Sequence, residues 1–139
     1  MNQTQLFKYL GAPLANLRWS WGGIRLQDGA VFLRVWQDRK KKHEGSWYMM
    51  VTHHDKYLGS EATLGYQERL DHVAKIRSGA PCFMVMCLAE DVNASPRKIQ
   101  SFNSDEVFVG GKVAELEGDT YVEMVARRPI GRVCLKQDA

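Results

Sequence analysis

The chain has 139 residues, the usual length of one domain, and its 45% hydrophobic and 25% charged residues exclude a disordered tract. A formal charge of +3 permits an anionic partner but is small for a dedicated non-specific nucleic-acid binder. No apolar run approaches the roughly 20 residues of a bilayer span, and the start has no basic segment followed by an apolar run, so a cytoplasmic protein without a membrane partner is expected.

In chain order, "NQTQLFKYLG" reads as a short helix, with Thr4 as cap, Leu6, Phe7 and Leu10 on one face, and Gly11 at the left-handed stop. The stretch "NLRWSWGGIRLQDGAVFLRVWQD" follows and holds three of the four tryptophans. Asp28-Gly29 predicts a two-residue hairpin turn. That register pairs Leu26 with Val31, Ile24 with Leu33 and Gly22 with Val35 on an apolar core face. The opposite face then pairs Arg25 with Phe32, Gly23 with Arg34 and Trp21 with Trp36, and places Trp19 beside Asp38, so indole rings and guanidinium groups share one surface. Consecutive glycines at 22 and 23 suggest a bulge or a close approach to the backbone.

"DRKKKHEG" reads as a charged connection leading to the strand "GSWYMMVTHH". A helix over 62–79 follows from Tyr66, Leu70, Val73 and Ile76 at helical spacing, with Asp71 four residues before Lys75 and Gly79 as exit. "PCFMVMCLA" is apolar on both alternating faces and predicts a central strand at 80–89. A polar loop, "EDVNASPRKIQSFNSD", leads to "EVFVGGKVAEL" and "TYVEMVARRP", joined at a tight "EGD" turn; no pairing of these two strands sorts apolar from polar cleanly. The pattern predicts a single α+β domain over residues 1–139, with a curved, mostly antiparallel, barrel-like sheet, one long helix and one short one.

Three readings of the hairpin's second face remain open. It packs as core, with Trp21 and Trp36 a cross-strand aromatic pair and Arg25 and Arg34 stacked along the rings. It binds a flat or anionic ligand, since aromatic faces stack nucleobases and arginine holds phosphate or a guanine edge. Or it is a protein interface, where tryptophan and arginine are common anchors. Basic residues at Arg97 and Lys98, and at Arg127, Arg128 and Arg132, add positive charge whose position the sequence leaves open.

Other chemical signals are sparse. In "VTHHDKY" only His53 and Asp55 would share a face, and His43 and His72 stand apart, so no metal is assigned. Cys82 and Cys87 fall on opposite faces of one strand and Cys134 is alone, which suits buried reduced thiols. Ser20 and the cysteines sit in no nucleophile signature. The carboxylate pairs Asp105-Glu106 and Glu115-Glu117 are no more than commonplace, so no catalytic residue and no cofactor is expected.

In the order of its elements, "RWSWG" entering a β-hairpin and the helix before "PCFMVMCLA", the chain resembles the PUA-like small barrels, a group that includes EVE, YTH and SRA domains. It is also similar to compact proteins carried on bacterial mobile elements such as integron cassettes. The PUA-like resemblance implies an accessory domain that reads a nucleobase in an aromatic-lined pocket. The leading expectation is thus a non-enzymatic binding domain for a nucleobase or nucleic acid. Trp19, Trp21, Arg25, Phe32, Arg34 and Trp36 form the binding face, with Arg39, Lys40, Lys41 and Lys42 steering. The alternative is a protein-interaction or homodimerisation module using the same face.

Overall fold

The computed structural model describes residues 2–16, 20–54, 64–94 and 97–133. Trp19, Asp55 and Cys134, together with the first two residues expected for the long helix, lie outside them. Three helices and eight strands follow in the order α1 (Gln3–Tyr9), β1 (Gly22–Arg25), β2 (Ala30–Trp36), β3 (Lys40–His43), β4 (Ser46–Thr52), α2 (Leu64–Arg77), β5 (Cys82–Ala89), β6 (Ile99–Phe102), β7 (Glu106–Leu116), β8 (Asp119–Pro129) and α3 (Ile130–Val133). All eight strands belong to one sheet of order β1-β2-β5-β7-β8-β4-β3, with β6 beside β5. The β2–β5 ladder is parallel and the others are antiparallel. The class is the expected α+β; the sheet curves but does not close, so it is barrel-like only.

The short first helix starts two residues earlier than Thr4 would set it. Asn2 accepts from Gln5 N while Gln5 Oε1 accepts from Asn2 N, both at 2.8 Å, a reciprocal cap that leaves Thr4 inside the helix. Leu6, Phe7 and Leu10 are buried as their spacing requires.

β5 carries apolar side chains to both faces because it lies between β2 and β7. Cys82 and Met84 enter a core with Val31, Leu33, Val35, Val73 and Ile76, under α2. Val85 and Cys87 enter a second core with Leu6, Phe7, Phe32 and Ile130, under α1 and α3. Each cysteine is thus a small buried hydrophobe, one per face, and burial pushes the thiols up to about 12 and about 11.

The hairpin register differs from expectation. Gly22 pairs with Leu33, Gly23 with Phe32, Ile24 with Val31 and Arg25 with Ala30, so the loop has four residues, 26–29. Only Gly29 takes a positive φ there, and its N donates to Arg25 O at 2.7 Å. The cause is the Asp28 side chain, which receives Arg25 Nε and Nη2 at 3.0 and 2.9 Å and the Ala30 backbone N at 3.1 Å. That grip needs a wider loop than a two-residue turn. A two-residue slip keeps each side chain on its predicted face, but it lifts Leu26 off the core, leaving it 92% exposed.

"DRKKKH" is also more than a connection. Lys40–His43 forms edge strand β3, turned into β4 through Glu44 (φ 49) and Gly45 (φ 82). The same Glu-Gly geometry, φ 51 and 87, joins β7 to β8 at Glu117-Gly118. The β7–β8 ladder changes register at Gly110 and again before Val113, so no single alternation spans either strand.

The glycine pair is explained by the chain itself. A Cβ at Gly23 would lie 2.2 Å from Ala12 O, and one at Gly22 would lie 2.3 Å from Phe32 O. The segment leaving α1 therefore lies directly on β1. Gly23→Ala should cost about 2 kcal/mol or more, because backbone must move. Gly29→Ala, with open space around its Cβ, should cost only the positive-φ strain, about 1 kcal/mol. Urea unfolding of the two variants checks this, and equal losses would refute the close approach.

Candidate functional site

The second face of the hairpin is divided. At the loop end, Phe32 stacks on Phe83 with ring centroids 5.0 Å apart, and the Arg25 guanidinium lies 5.0 Å above the Phe32 ring. Besides Asp28, Arg25 Nη1 donates to Leu10 O at 3.2 Å and Val133 O at 2.5 Å. Both side chains are buried, so Arg25 and Phe32 are core and leave the predicted binding face. Their burial follows from α1 and α3 closing over that end.

At the other end the face opens into a cleft of about 340 Å³. Trp21, Arg34 and Trp36 line it, and so does Arg39. The structure adds Arg69 from α2, Arg97 from the loop before β6, and His53 from the end of β4. Val35, Val51, Met50, Ile99 and Cys87 supply its apolar wall. Among the described residues the lining thus contains two indoles, four arginines and one histidine, and no carboxylate.

Each arginine is positioned differently. Arg69 donates to Val51 O and, through Nη2, to Trp21 O at 3.1 Å and Arg34 O at 2.9 Å. It is 4% exposed, and its guanidinium sits 5.7 Å from the Trp21 ring centroid. Arg34 donates to Gln3 Oε1 at 2.8 Å and to Ser20 O, and burial lowers its pKa. Arg97 reaches Asp38 with two parallel bonds of 2.8 Å and Val92 O at 2.7 Å, while its guanidinium covers one face of Trp36 at 5.2 Å. The Arg97 hydrogen bonds hold the Asp38 carboxyl below its ordinary value. Among the described residues the Arg39 side chain has only a stretched ion pair, 4.0 Å to that same Asp38.

Carboxylates stand behind the cleft. Glu68 accepts from Ser20 Oγ at 2.9 Å and from Trp21 N at 3.2 Å. Asp119, at the start of β8, lies with both oxygens 3.1 Å from His53 Nδ1 and also accepts from His54 N at 2.9 Å. His53 is therefore partnered by Asp119, 66 residues away, and Asp55 lies outside the described residues. His54 points elsewhere, between Tyr66 Oη at 2.7 Å and Thr120 Oγ1 at 2.8 Å. Among the described residues no three His, Cys, Asp or Glu side chains are placed to hold a metal ion.

The basic run is not a steering loop beside the cleft. Beyond Arg39 it is strand β3, where Lys41 pairs with Glu117 and Lys40 and Lys42 lie 5.2 and 5.7 Å from the half-exposed Trp47 ring. Lys98 is exposed, and Arg127 pairs with Glu106 at 3.0 Å on β7. Of the scattered basic residues, Arg39 and Arg97 converge on the tryptophans. The sequence held one unused signal for Arg69: it falls on the same helical stripe as Tyr66, Val73 and Ile76, all buried.

No family model, curated protein or solved structure matches this chain.

Arg69→Met, close in volume but without donors, should cost about 2–4 kcal/mol, since three carbonyls lose a charged partner in a buried place. Urea unfolding reads the loss. A change below about 1 kcal/mol would show that the guanidinium does not hold the strands together.

Proposed function

We propose that this chain is a non-enzymatic binding domain for a nucleobase or nucleic acid, and that the ligand's base enters the cleft between Trp21 and Trp36. The reading is carried by the composition of the lining, which among the described residues has two indoles and four arginines with no carboxylate. Such a surface attracts anions and gives a π-face something to stack on, with each base worth about 1–3 kcal/mol. A volume of about 340 Å³ suits one base with its sugar and phosphate, not a duplex. A ligand of this kind therefore presents an unpaired or flipped base. Trp21 and Trp36 stack, Arg39 meets anionic or guanine-like groups, Arg34 adds its positive charge, and Arg97 fixes the Trp36 ring.

The same support is weaker for self-association through this face. The rings are recessed in a cleft, whereas an interface between flat surfaces needs its anchors proud. Lysines on edge strand β3 also oppose strand-to-strand pairing of two copies.

Titrating intrinsic tryptophan fluorescence with short single- and double-stranded DNA and RNA, at low and high salt, tests the proposal. Single strands should quench saturably, with affinity falling as salt rises. Trp36→Ala should weaken binding by about tenfold to a hundredfold, while Trp47→Ala should leave it unchanged. Absence of quenching, or equal binding by Trp36→Ala, would sink the assignment.

A further inference from the structure

We propose that His53 and Arg39 form the phosphate subsite of the cleft, and that His53 takes up a proton when a nucleotide phosphate binds there. The inference rests on the base-binding reading and names what receives the ligand's backbone. Three of the four cleft arginines have donors committed to fixed acceptors: Arg34 to Gln3 and Ser20, Arg69 to three carbonyls, and Arg97 to Asp38 and Val92. Arg39 is the exception. Its ion pair is 4.0 Å long, and the carboxylate it faces is already taken by Arg97.

His53 is the second group with capacity to spare. The Asp119 carboxylate accepts from Nδ1, which leaves Nε2 without a hydrogen-bond partner among the described residues, on a side chain that lines the cleft and is 32% exposed. With the proton on Nδ1, neutral Nε2 carries a lone pair and repels a phosphate oxygen. Once Nε2 is protonated, it becomes a donor and Asp119 stabilises the imidazolium from behind.

The groups facing this imidazole decide when that happens. Asp119 favours the proton. Arg34 and Arg39 from β2 and its following turn, Arg69 from α2 and Arg97 from the β5–β6 loop oppose it. Cys87 of β5 is held as a neutral thiol by burial and contributes no charge. His54 shares Asp119 through its backbone N, while its ring lies 4.0 Å from Glu115. An entering phosphate offsets the arginines, so the complex binds a proton more tightly than the empty cleft does. Affinity is therefore highest at low pH and falls as pH rises through the imidazole range.

A phosphate monoester itself titrates near pH 6, so the main probe is a deoxyadenosine dinucleotide, whose single diester keeps one charge throughout. Its binding is measured between about pH 5.5 and about pH 8, beside deoxyadenosine. Wild type should bind the dinucleotide about tenfold more tightly at the lower pH. His53→Gln should show less than about a twofold change, and deoxyadenosine should show none. A parallel arm with deoxyadenosine 5′-monophosphate at the higher pH, where it is a dianion, separates the sources. Tighter binding of the monophosphate identifies a free nucleotide, and tighter binding of the dinucleotide identifies a strand; either agrees with the subsite.

A dinucleotide that binds wild type and His53→Gln with the same pH dependence would overturn the subsite while leaving base binding intact. If neither probe binds, both readings fall. Should His53→Gln fail to fold, imidazole NMR of wild type decides. A His53 midpoint that rises with saturating dinucleotide supports the inference, and an unmoved midpoint refutes it.

Discussion

β2 and β4 share no ladder, yet the carbonyl oxygens of Arg34 on β2 and Val51 on β4 meet at the guanidinium of Arg69. A third acceptor, Trp21 O, ties the same group to the segment ahead of β1. Curling the sheet brings these acceptors inside, where unpaired carbonyls would each cost about 1–3 kcal/mol. Five N–H donors in one plane suit an acceptor set spread over three segments, of which Trp21 O also accepts from the Arg34 backbone N at 3.0 Å. The open side of the sheet is thereby closed by a side chain from α2, and the cleft is what remains in front of it.

This arrangement gives the arginines two duties. Burying cations is unfavourable unless acceptors surround them, and here backbone carbonyls supply much of that need without neutralising the charge. Asp38, Glu68 and Asp119 are near but stand outside the lining, so the positive potential faces inward. Held by fixed acceptors, the guanidinium groups lose little freedom when a ligand arrives. Trp36 is held in the same way, with Arg97 clamped across one face of its ring. On the proposed reading, stability and recognition draw on the same contacts.

Patterns local to one element were legible in the sequence. The apolar stripe of α2, the two-faced β5 and the side-chain parity of the hairpin follow from periods of 3.6 and 2, and the turn at Glu117-Gly118 from its glycine. What depends on distant partners was not. Asp28 serves Arg25, and that preference displaced the two-residue turn by widening the loop. Lys40–His43 forms a strand with no apolar alternation because an edge facing water needs none, although Glu44-Gly45 carried the same turn signal as Glu117-Gly118. Gly22 and Gly23 did mark a close approach, but of the chain's own backbone. Asp119 meets His53 through the β4–β8 pairing, and no spacing announces it.

The parallel ladder between β2 and β5 bears on how the chain reaches this fold. Its partners, from Val31 with Cys82 to Trp36 with Cys87, lie about fifty residues apart, with β3, β4 and α2 strung between them. Closing so long a loop carries an entropic cost before any pairing rewards it. The β3–β4 and β7–β8 hairpins are local and can form early, whereas the β2–β5 seam must wait for the intervening helix to swing across. The cleft is built on that seam and on the Arg69 bridge, so it is among the last features to appear. Half-folded molecules would expose the apolar strand "CFMVMCLA" before the cleft had formed around it.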